Sequence, residues 1–409
     1  MTAAKKSKAP KLVPLLLTWF ATNARDLPWR RTHDPYAIWV SEIMLQQTQV
    51  KTVIPFWNRW MRELPTIDAA AKAPSARIHK LWEGLGYYTR VRNLQKAAQV
   101  IVTQHGGKFP EHFDEVLALP GIGRYTAGAI CSIAFNQPAP ILDGNVIRVL
   151  TRIFGIADNP KEKATNVRLW HLAEELVMHA ARLNSSRSSR REEAHSKTSK
   201  GQSLRTSAAT IHDSCSAFNQ SLMELGALVC TPRNPQCLLC PVKKSCVAFK
   251  EKRTGELPSL DKRATATARH FIAFAIEHKG KFLVRQRPTK VVNALLWEFP
   301  NVETGARLYE PQHVISAFNA LGDTDPRSKK LEPLCTVKHS ITRYRITLEA
   351  FHVDLGGASS TSPLSKIMSE IRGTRPFEMT GIWRTPAQLR RLAFTGAHKQ
   401  ILGSLEKRC

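Results

Sequence analysis

The first half of the chain repeats apolar residues every three or four positions, and Gly or Pro separates the repeats. This spacing predicts amphipathic helices, and no alternating strand pattern interrupts it between residues 12 and 183. Asp34 and Pro35 are typical of a helix N-cap and first helical position, which predicts a helix from Tyr36. Further helices are predicted over residues 76–82, 91–105, 113–117, 125–135, 145–154 and 167–182. This half is therefore predicted to be all-α.

A different pattern follows a polar, Lys/Arg-rich stretch at residues 251–268. Residues 271–277 and 282–287 are predicted to form two strands joined by a turn at 278–281. Further strands are predicted over 344–353 and 378–383, and helices over 311–320 and 386–407, the last broken at Thr395-Gly396. Because strands and helices mix here, the C-terminal part is predicted to be a separate α+β domain.

Residues 182–212 differ in composition from both halves. They are rich in Ser and carry seven Lys/Arg against Glu192 and Glu193, with almost no aliphatic side chains. Such a stretch cannot bury a core, so it predicts a basic surface insertion. It is either a solvated loop alone or one that also attracts DNA. The helical pattern resumes at Ala217.

The composition indicates folded domains and a polyanionic partner. The 409 residues suggest two or three domains, and 43% hydrophobic content excludes wholesale disorder. No apolar run approaches the ~18 residues that cross a bilayer. The short apolar stretch at residues 12–20 contains Pro14 and Thr18 and lacks a cleavage site, so no secretory signal is expected. The net charge of +27 favours nucleic acid, although charge alone leaves an anionic membrane surface open.

Four of the eight cysteines lie within one short segment with the spacing C-x6-C-x2-C-x5-C: Cys230, Cys237, Cys240 and Cys246. In a chain without an export signal, such a cluster predicts a metal site before a disulfide framework. Four thiolates provide complete ligation for a zinc ion or a 4Fe–4S cluster. The spacing lacks the two separated C-x2-C pairs of a zinc ribbon and resembles the cluster loop of the endonuclease III superfamily. This resemblance favours one 4Fe–4S cluster, with structural zinc as the alternative.

The segment Leu119-Pro120-Gly121-Ile122-Gly123 lies between two predicted helices. Gly121 and Gly123 permit a close approach, so backbone N–H groups at the start of the next helix can face a phosphate. This is the pattern of a DNA-binding helix-hairpin-helix, predicted here over residues 114–136. Any two helices can be joined by a Gly-Pro turn, but the cysteine cluster about 110 residues later is in the order of the same superfamily.

Two carboxylates suit the cleavage of a glycosidic bond, which needs a proton donor and a group that stabilises an oxocarbenium ion. Glu42 lies in a helix that is apolar almost all round, and such surroundings raise a carboxyl pKa as a general acid requires. Asp143 stands just before a predicted helix. The alternatives are a solvent-exposed Glu42 and an Asp143 that serves only as an N-cap.

Six segments together resemble the adenine DNA glycosylase (MutY) family, in that family's order across residues 12–250. They are Arg25-Asp26-Leu27-Pro28-Trp29-Arg30, residues 39–48, Leu81-Trp82-Glu83-Gly84-Leu85-Gly86-Tyr87-Tyr88, the hairpin, Asp143-Gly144-Asn145-Val146 and the cysteine cluster. The resemblance implies removal of adenine mispaired with 8-oxoguanine or guanine, after the base is flipped into a pocket. It also implies that Glu42 protonates the adenine N7, that Asp143 stabilises the oxocarbenium ion and that Tyr125 and Asn145 support them.

The same resemblance implies the residues that contact DNA. Arg30 is similar to a pocket residue of the family, while Gln47 and the loop with Leu85, Tyr87 and Tyr88 resemble the wedge that fills the base stack. Bifunctional relatives carry a Lys where this chain has Tyr125, so a monofunctional hydrolase is expected.

Residues 269–409 resemble the family's Nudix-like domain, which reads 8-oxoguanine. The segment Leu295-Leu296-Trp297-Glu298-Phe299-Pro300 is the best match. Residues 301–321 lack the acidic run of a Nudix hydrolase, so pyrophosphate hydrolysis is not expected. The lesion-reading loop aligns with residues 339–343, where Ile341-Thr342-Arg343 replaces the Phe-Ser-His of many members. Thr342 keeps a hydroxyl for this contact, or it is simply part of a hairpin tip.

The expected fold is a mainly α helix-hairpin-helix DNA glycosylase fold with an iron–sulfur loop, followed by an α+β Nudix-like domain. The predicted boundaries are 1–250 for the catalytic domain, with the loop at 230–246, then a linker at 251–268 and the second domain at 269–409. The expected partner of this monomer is double-stranded DNA containing mismatched adenine, with no membrane. The compartment would be cytoplasmic and nucleoid-associated in a bacterium, and nuclear or mitochondrial in a eukaryote. The alternatives are a mismatch glycosylase with another base substrate and a non-catalytic iron–sulfur DNA-binding protein.

Overall fold

The computed structural model describes residues 7–195, 213–261, 265–304, 314, 331–341, 343–355 and 381–408, with the backbone alone for 184–195. The described residues form two compact units. The first unit is drawn from Met1–Lys72 and Arg92–Lys262, and the second from Ala73–Val91 and Arg263–Cys409. The second unit therefore contains a short segment from within the helical half of the sequence.

The described elements before residue 262 are all helical, which confirms the predicted class. They are α1 (Ala9–Asn23), α2 (Pro35–Leu45), α3 (Val50–Glu63), α4 (Ile67–Lys72), α5 (Ser75–Trp82), α6 (Thr89–Gln104), α7 (Phe113–Ala118), α8 (Arg124–Phe135), α9 (Gly144–Phe154), α10 (Lys163–His195), α11 (Ser214–Leu228) and α12 (Val247–Lys250), with 3₁₀ turns at Pro28–Arg30, Cys237–Leu239 and Lys243–Ser245. None of the described helices is both long enough and apolar enough to cross a membrane.

Local signals explain where several of these helices begin. The Asp34 carboxylate accepts a hydrogen bond from the Tyr36 backbone N–H at 3.0 Å, and Pro35 is the first residue of α2, as predicted. Helix α11 packs against α1, α8, α9 and α10. Apolar side chains of these helices, such as Leu16, Val149 and Phe218, are fully buried in one core. This core holds the helix ends that carry the candidate catalytic residues.

Helix α10 is longer than the sequence pattern predicts. The predicted end at residue 182 is wrong, because the helix continues to His195 through the first part of the predicted basic insertion. That part contains Arg, Glu and Ala, which have good intrinsic helix propensities even without an apolar face. Residues 196–212 of the predicted insertion lie outside the described residues. Helices α1, α3, α4 and α12 are additions to the predicted set.

The second unit is built on a mixed β-sheet with the strand order β3-β2-β1-β6-β5, where β4 also pairs with β1 and β7 with β2. Strands β1 and β6 are parallel, and the other pairs are antiparallel. The strands are β1 (Thr267–His278), β2 (Lys281–Gln286), β3 (Trp297–Glu298), β4 (Asn301–Thr304), β5 (Leu331–Ile341), β6 (Tyr344–Asp354) and β7 (Ile382–Arg384).

The predicted α+β character is confirmed, as are the turn at 278–281 and most of the predicted strands. Strands β4 and β5 were not predicted. Strand β7 overlaps the end of the predicted strand at 378–383. The residues of that strand before 381 lie outside the described set. The same is true of the predicted helix at 311–320, apart from Val314.

The predicted helix at 386–407 is two helices, α13 (Pro386–Leu389) and α14 (Gly396–Glu406). Helix α14 begins at Gly396, which confirms the predicted break, and Thr395 is its N-cap. Phe394, in the connection between the helices, stacks on Phe299 with ring centroids 5.5 Å apart. These two rings join the helices to the core of the sheet.

Gly128 in α8 marks a close backbone approach in the first unit. A Cβ atom at this position would lie 2.1 Å from the backbone carbonyl oxygen of Pro140. We expect Gly128→Ala to lower the free energy of unfolding by about 3 kcal/mol, because neither backbone can move without repacking the core. Thermal unfolding followed by circular dichroism measures the change. Gly403→Ala in α14, where a Cβ meets nothing within 4 Å, is the control and is expected to be neutral or stabilising. Equal melting temperatures for Gly128→Ala and the wild type would contradict the expectation.

Candidate active site

A cavity of about 560 Å³ in the first unit brings together the candidate catalytic residues. Both carboxylates, Glu42 and Asp143, line it, and so do Tyr125 and Asn145. The wall is completed mainly by apolar side chains and by polar residues that include Arg25, Arg30, Gln47, Gln220 and Glu224. Residues far apart in the sequence thus face one space of a size that suits a small ligand.

Glu42 is buried, with 6% of its surface exposed, although it belongs to a helix that starts near the protein surface. Its Oε2 accepts a hydrogen bond from the Tyr125 hydroxyl at 2.8 Å. Burial raises the pKa of Glu42 to about 7, helped by the nearby Asp143 and opposed by the Tyr125 bond and the charge of Arg30. Near neutral pH, Glu42 therefore keeps a proton for a substantial fraction of the time, as a general acid must.

Tyr125 lies in the first turn of α8, next to the hairpin glycines. Its hydroxyl bonds Glu42 and also lies 3.3 Å from the Met223 Sδ atom. Burial, and then the negative charges of Glu42 and Asp143, hold the pKa of Tyr125 well above its usual value. The hydroxyl therefore stays neutral and donates its hydrogen bond to the carboxylate.

Asp143 caps helix α9, and it also lines the cavity. Oδ1 accepts the Val146 backbone N–H at 2.7 Å, and Oδ2 accepts the Asn145 side-chain amide at 2.9 Å. Burial raises the pKa of Asp143, and these two hydrogen bonds oppose that shift. The N-cap and the candidate catalytic carboxylate are thus the same group, with one oxygen held by the helix and the other by Asn145.

Arg148 orients Asn145 and was missed by the sequence analysis. Its Nη2 atom donates to Asn145 Oδ1 and to the Gly226 carbonyl, each at 2.8 Å. Its Nε atom donates to the Cys230 carbonyl at 2.7 Å. A continuous series of hydrogen bonds therefore runs from Cys230 through Arg148 and Asn145 to Asp143.

Arg30 lines the cavity as an ion-pair partner of Glu224, a second residue that the sequence analysis missed. The buried Glu224 carboxylate accepts hydrogen bonds from Arg25 Nη2 at 2.7 Å and from Arg30 Nη2 at 2.9 Å. Burial alone would raise the pKa of Glu224, but the two guanidinium groups lower it to about 2. Glu224 is the one charged residue of α11. The pattern that identified Glu42, a single acidic residue within a helix, is therefore also present in α11.

The predicted wedge residues have different surroundings. Gln47 is exposed beside the cavity with a left-handed backbone, φ 57°. In the second unit, Tyr87 has φ 48° and is 47% exposed. Leu85 and Tyr88 are buried, and the Tyr88 ring stacks on His79 at 6.2 Å between centroids. Of the three predicted residues in this loop, Tyr87 offers the most accessible side chain.

The hairpin glycines precede α8 as predicted. Gly121 has φ 78°, and a Cβ there would lie 2.5 Å from the Asn93 Cβ. A side chain at this position is therefore disfavoured both by the backbone conformation and by this close contact. Gly123 is the N-cap of α8 and is exposed. Phosphate binding by the N–H groups at this helix start stays a prediction.

The four clustered cysteines line one small cavity together with Val242 and Phe249. All the described cysteines are free thiols. Burial raises the pKa of Cys240 to about 11, and the three other clustered cysteines add to the shift, so the four sulfurs lie close enough to repel one another as thiolates. No three His, Cys, Asp or Glu side chains of the described residues form a site for a single metal ion. A 4Fe–4S cluster takes one thiolate on each of four iron atoms, and a shared cavity fits that donor set.

Thr342 lies outside the described residues. Its neighbours Ile341 and Tyr344 pair with each other at the adjacent ends of β5 and β6. The Arg343 guanidinium donates to the Tyr344 hydroxyl at 3.0 Å and lies 5.2 Å from the centre of the same ring. The role of Thr342 in reading a lesion stays a prediction.

Two family descriptions match the chain. Residues 40–175 match the HhH-GPD superfamily of base excision DNA repair proteins, and residues 272–404 match the NUDIX domain. The thermostable thymine-DNA glycosylase of known structure shares 30% identity, with 60% of this chain and 97% of that chain covered and a TM-score of 0.47.

Curated relatives extend over both units. The adenine DNA glycosylase of Buchnera aphidicola subsp. Schizaphis graminum is 35% identical over 297 residues, covering 72% of this chain and 76% of the relative. The adenine DNA glycosylase of Rattus norvegicus is 32% identical over 452 aligned positions, covering 96% of this chain and 77% of the relative. Together with the two domain matches, these relatives confirm the predicted fold class. The chain belongs to the adenine DNA glycosylase family.

Proposed function

We propose that this protein is a monofunctional DNA N-glycosylase that removes adenine mispaired with 8-oxoguanine or guanine. The observation that carries the proposal is the pair of carboxyl groups in one cavity, with Glu42 at a pKa of about 7. The family relatives named adenine DNA glycosylase support adenine as the base. The cavity of about 560 Å³ lies within the ~300–1,000 Å³ common for small-ligand sites, and it would receive the flipped base.

In the proposed reaction, protonated Glu42 donates its proton to the adenine N7. The bond between C1′ and the base then breaks, and its electron pair leaves with the protonated base. The Asp143 carboxylate stabilises the positive charge on the sugar, in a retaining route by bonding to C1′, and water completes the hydrolysis. Asn145 and Arg148 hold Asp143 for this role, and Tyr125 holds Glu42.

The monofunctional assignment follows from the residue beside Glu42. Tyr125 provides a hydroxyl and no amine, so it cannot form the Schiff base by which a lyase would cleave the sugar. Its raised pKa keeps it a neutral donor. Water is therefore the expected final nucleophile, and the product is an abasic site in an intact strand.

Binding of double-stranded DNA is supported by charge and by two exposed side chains. The net charge of +27 attracts phosphates without selecting a sequence. Gln47 and the Tyr87 ring are exposed on left-handed turns, which suits them to enter the base stack. The hairpin at Gly121 and Gly123 would bind a phosphate, and Thr342 would contact the 8-oxoguanine. The enzyme is proposed to act as a monomer.

Cys230, Cys237, Cys240 and Cys246 would hold one 4Fe–4S cluster. When bound, the cluster supplies four iron–thiolate bonds that constrain this loop. The Arg152 Nη1 atom lies 3.4 Å from the Cys230 sulfur, and its positive charge suits a thiolate ligand. The Cys230 carbonyl would in turn remain available to Arg148.

Replacing the carboxyl group of Glu42 tests its role as the proton donor. We expect Glu42→Gln to lower the single-turnover rate of adenine release at least ~100-fold while duplex affinity changes little, since the amide cannot donate a carboxyl proton. The substrates are duplexes with adenine opposite 8-oxoguanine, guanine or cytosine. The control is Glu174→Gln, which changes an exposed Glu of α10. Near-normal rates for Glu42→Gln would reject its role. No release by the wild type from any duplex would reject the proposed function.

The protonation of Glu42 should set the pH dependence of excision. Since the active form of Glu42 is protonated, the excision rate should fall as pH rises above about 7, approaching tenfold per pH unit. The Tyr125 hydrogen bond lowers the pKa of Glu42, so Tyr125→Phe should move this decline to higher pH. The pH profile of the single-turnover rate measures both effects. A decline at the same pH in both proteins would contradict the assigned contact.

The metal content of the purified protein tests the proposed cluster. Anaerobically purified protein should be brown, with four iron atoms and four acid-labile sulfides per chain. Cys240→Ser should lower the iron content, whereas Cys335→Ser, a free thiol of β5, should leave it unchanged. A colourless protein with one equivalent of zinc would contradict the cluster.

A further inference from the structure

A buried carboxylate in the second unit has no part in the chemistry described above. Glu83 follows α5, and its side chain is 5% exposed. It accepts hydrogen bonds from Lys80 Nζ at 2.9 Å, from Lys399 Nζ at 2.9 Å and from the Phe394 backbone N–H at 2.8 Å. Burial alone would raise the pKa of Glu83, but these donors lower it, so the group is ionised at neutral pH.

The donors belong to two parts of the sequence that are about 310 residues apart. Lys80 is in α5, while Phe394 and Lys399 belong to the segment 392–399 at the start of α14. Lys80 Nζ also donates to the Leu392 carbonyl at 2.8 Å. Glu83 and Lys80 together therefore fasten the end of α5 to this C-terminal segment.

The C-terminal segment is itself fixed to the sheet. The Trp297 N–H donates to the Ala393 carbonyl at 2.9 Å, and the Thr395 N–H donates to the Trp297 carbonyl at 3.1 Å. Phe394 is buried against Phe299. Glu83 is thus anchored to a segment that is buried and hydrogen-bonded to the sheet, and not to a free chain end.

The residues directly after Glu83 form a loop with an unusual backbone. Gly84, Gly86 and Tyr87 have φ values of 112°, 70° and 48°, respectively. A left-handed backbone at a Tyr costs energy, and it persists only where the surroundings hold it. Internal bonds hold the shape of the loop, since Arg90 Nη2 donates to the carbonyls of Leu85 and Gly86, each at 3.0 Å.

The Trp82 indole N–H donates to the Gly86 carbonyl at 3.1 Å, while Glu83 attaches the start of the loop to the C-terminal segment. The exposed Tyr87 ring at the tip lies four residues after Glu83, so a shift of this anchor would move the ring. Entry of a ring into a base stack tolerates little displacement, because stacking needs face-to-face contact.

We propose that Glu83 is a positioning residue through which the C-terminal segment 392–399 fixes the Tyr87 ring for entry into the DNA base stack. This inference rests on the proposed function, in which the Tyr87 loop enters the duplex. The Nudix-like unit thereby contributes to base flipping, and not only to recognition of the opposite base.

The test uses variants that keep the buried hydrogen-bonding positions filled. Glu83→Gln retains an acceptor for the Phe394 N–H but loses the charge that binds both lysines. Lys399→Met removes one ion pair at a side chain that is 53% exposed, so the fold should tolerate it. Glu406→Gln is the control, because it breaks the exposed Arg390–Glu406 pair of the same unit.

The readout is the fluorescence of 2-aminopurine placed beside the target adenine opposite 8-oxoguanine, followed by stopped flow with the full-length protein. We expect Glu83→Gln to slow unstacking roughly tenfold and Lys399→Met about threefold, with Glu406→Gln unchanged. Lys399→Arg, which keeps the positive charge, should unstack the base at close to the wild-type rate, unlike Lys399→Met. Single-turnover excision should fall by the same factors, while its pH dependence stays that of the wild type.

Two results would overturn the inference. One is normal unstacking in Glu83→Gln and Lys399→Met. The other is a loss in Glu83→Gln that follows only its melting temperature, with Lys399→Met normal at a temperature where both are folded. The wild type separates this inference from the proposed function. If it excises no adenine, the function is wrong; if it does and the variants unstack normally, only the role of Glu83 is wrong.

Discussion

The proposed chemistry depends on keeping a carboxyl group protonated in a cavity that must also stabilise positive charge. Glu42 meets the first need by burial, which raises its pKa to about 7, and Tyr125 holds it in place. Glu224 lines the same cavity, but Arg25 and Arg30 lower its pKa to about 2. Two residues of the same type are thus kept in different charge states by their neighbours alone. Pairs of groups with separated pKa values are typical of acid–base sites.

Arginine organises the polar groups that surround this site. Arg148 connects the Cys230 carbonyl to Asn145, and Asn145 holds one oxygen of Asp143. Arg152 contacts the Cys230 sulfur and the carbonyls of the same loop. Buried polar groups of this kind are costly when unpaired, and here each arginine joins several backbone acceptors at once. The position of Asp143, the proposed catalytic carboxylate, therefore depends on contacts that reach the cysteine loop.

The large positive charge and the chemistry belong to different residues. The net charge of +27 attracts DNA phosphates along the duplex without selecting a sequence. Selection and catalysis are assigned to a small number of buried or strained groups, including Glu42, Asp143 and Tyr87. Glu83 extends the same principle to the second unit, where one ionised carboxylate joins a loop of the helical half of the sequence to the C-terminal segment.

The sequence by itself determined the features that have local signals. Helix α2 followed from Asp34-Pro35, the cysteine site from its spacing, and Glu42 from an acidic residue in an apolar helix. Only the tertiary structure decided which groups pair across the chain. Glu224, Arg148 and Glu83 each have partners that lie 78 or more residues away along the chain, and no periodicity relates those pairs. The structure also assigned residues 73–91 to the second unit. Burial and ion pairing are properties of packed surfaces, and they appear only when distant segments meet.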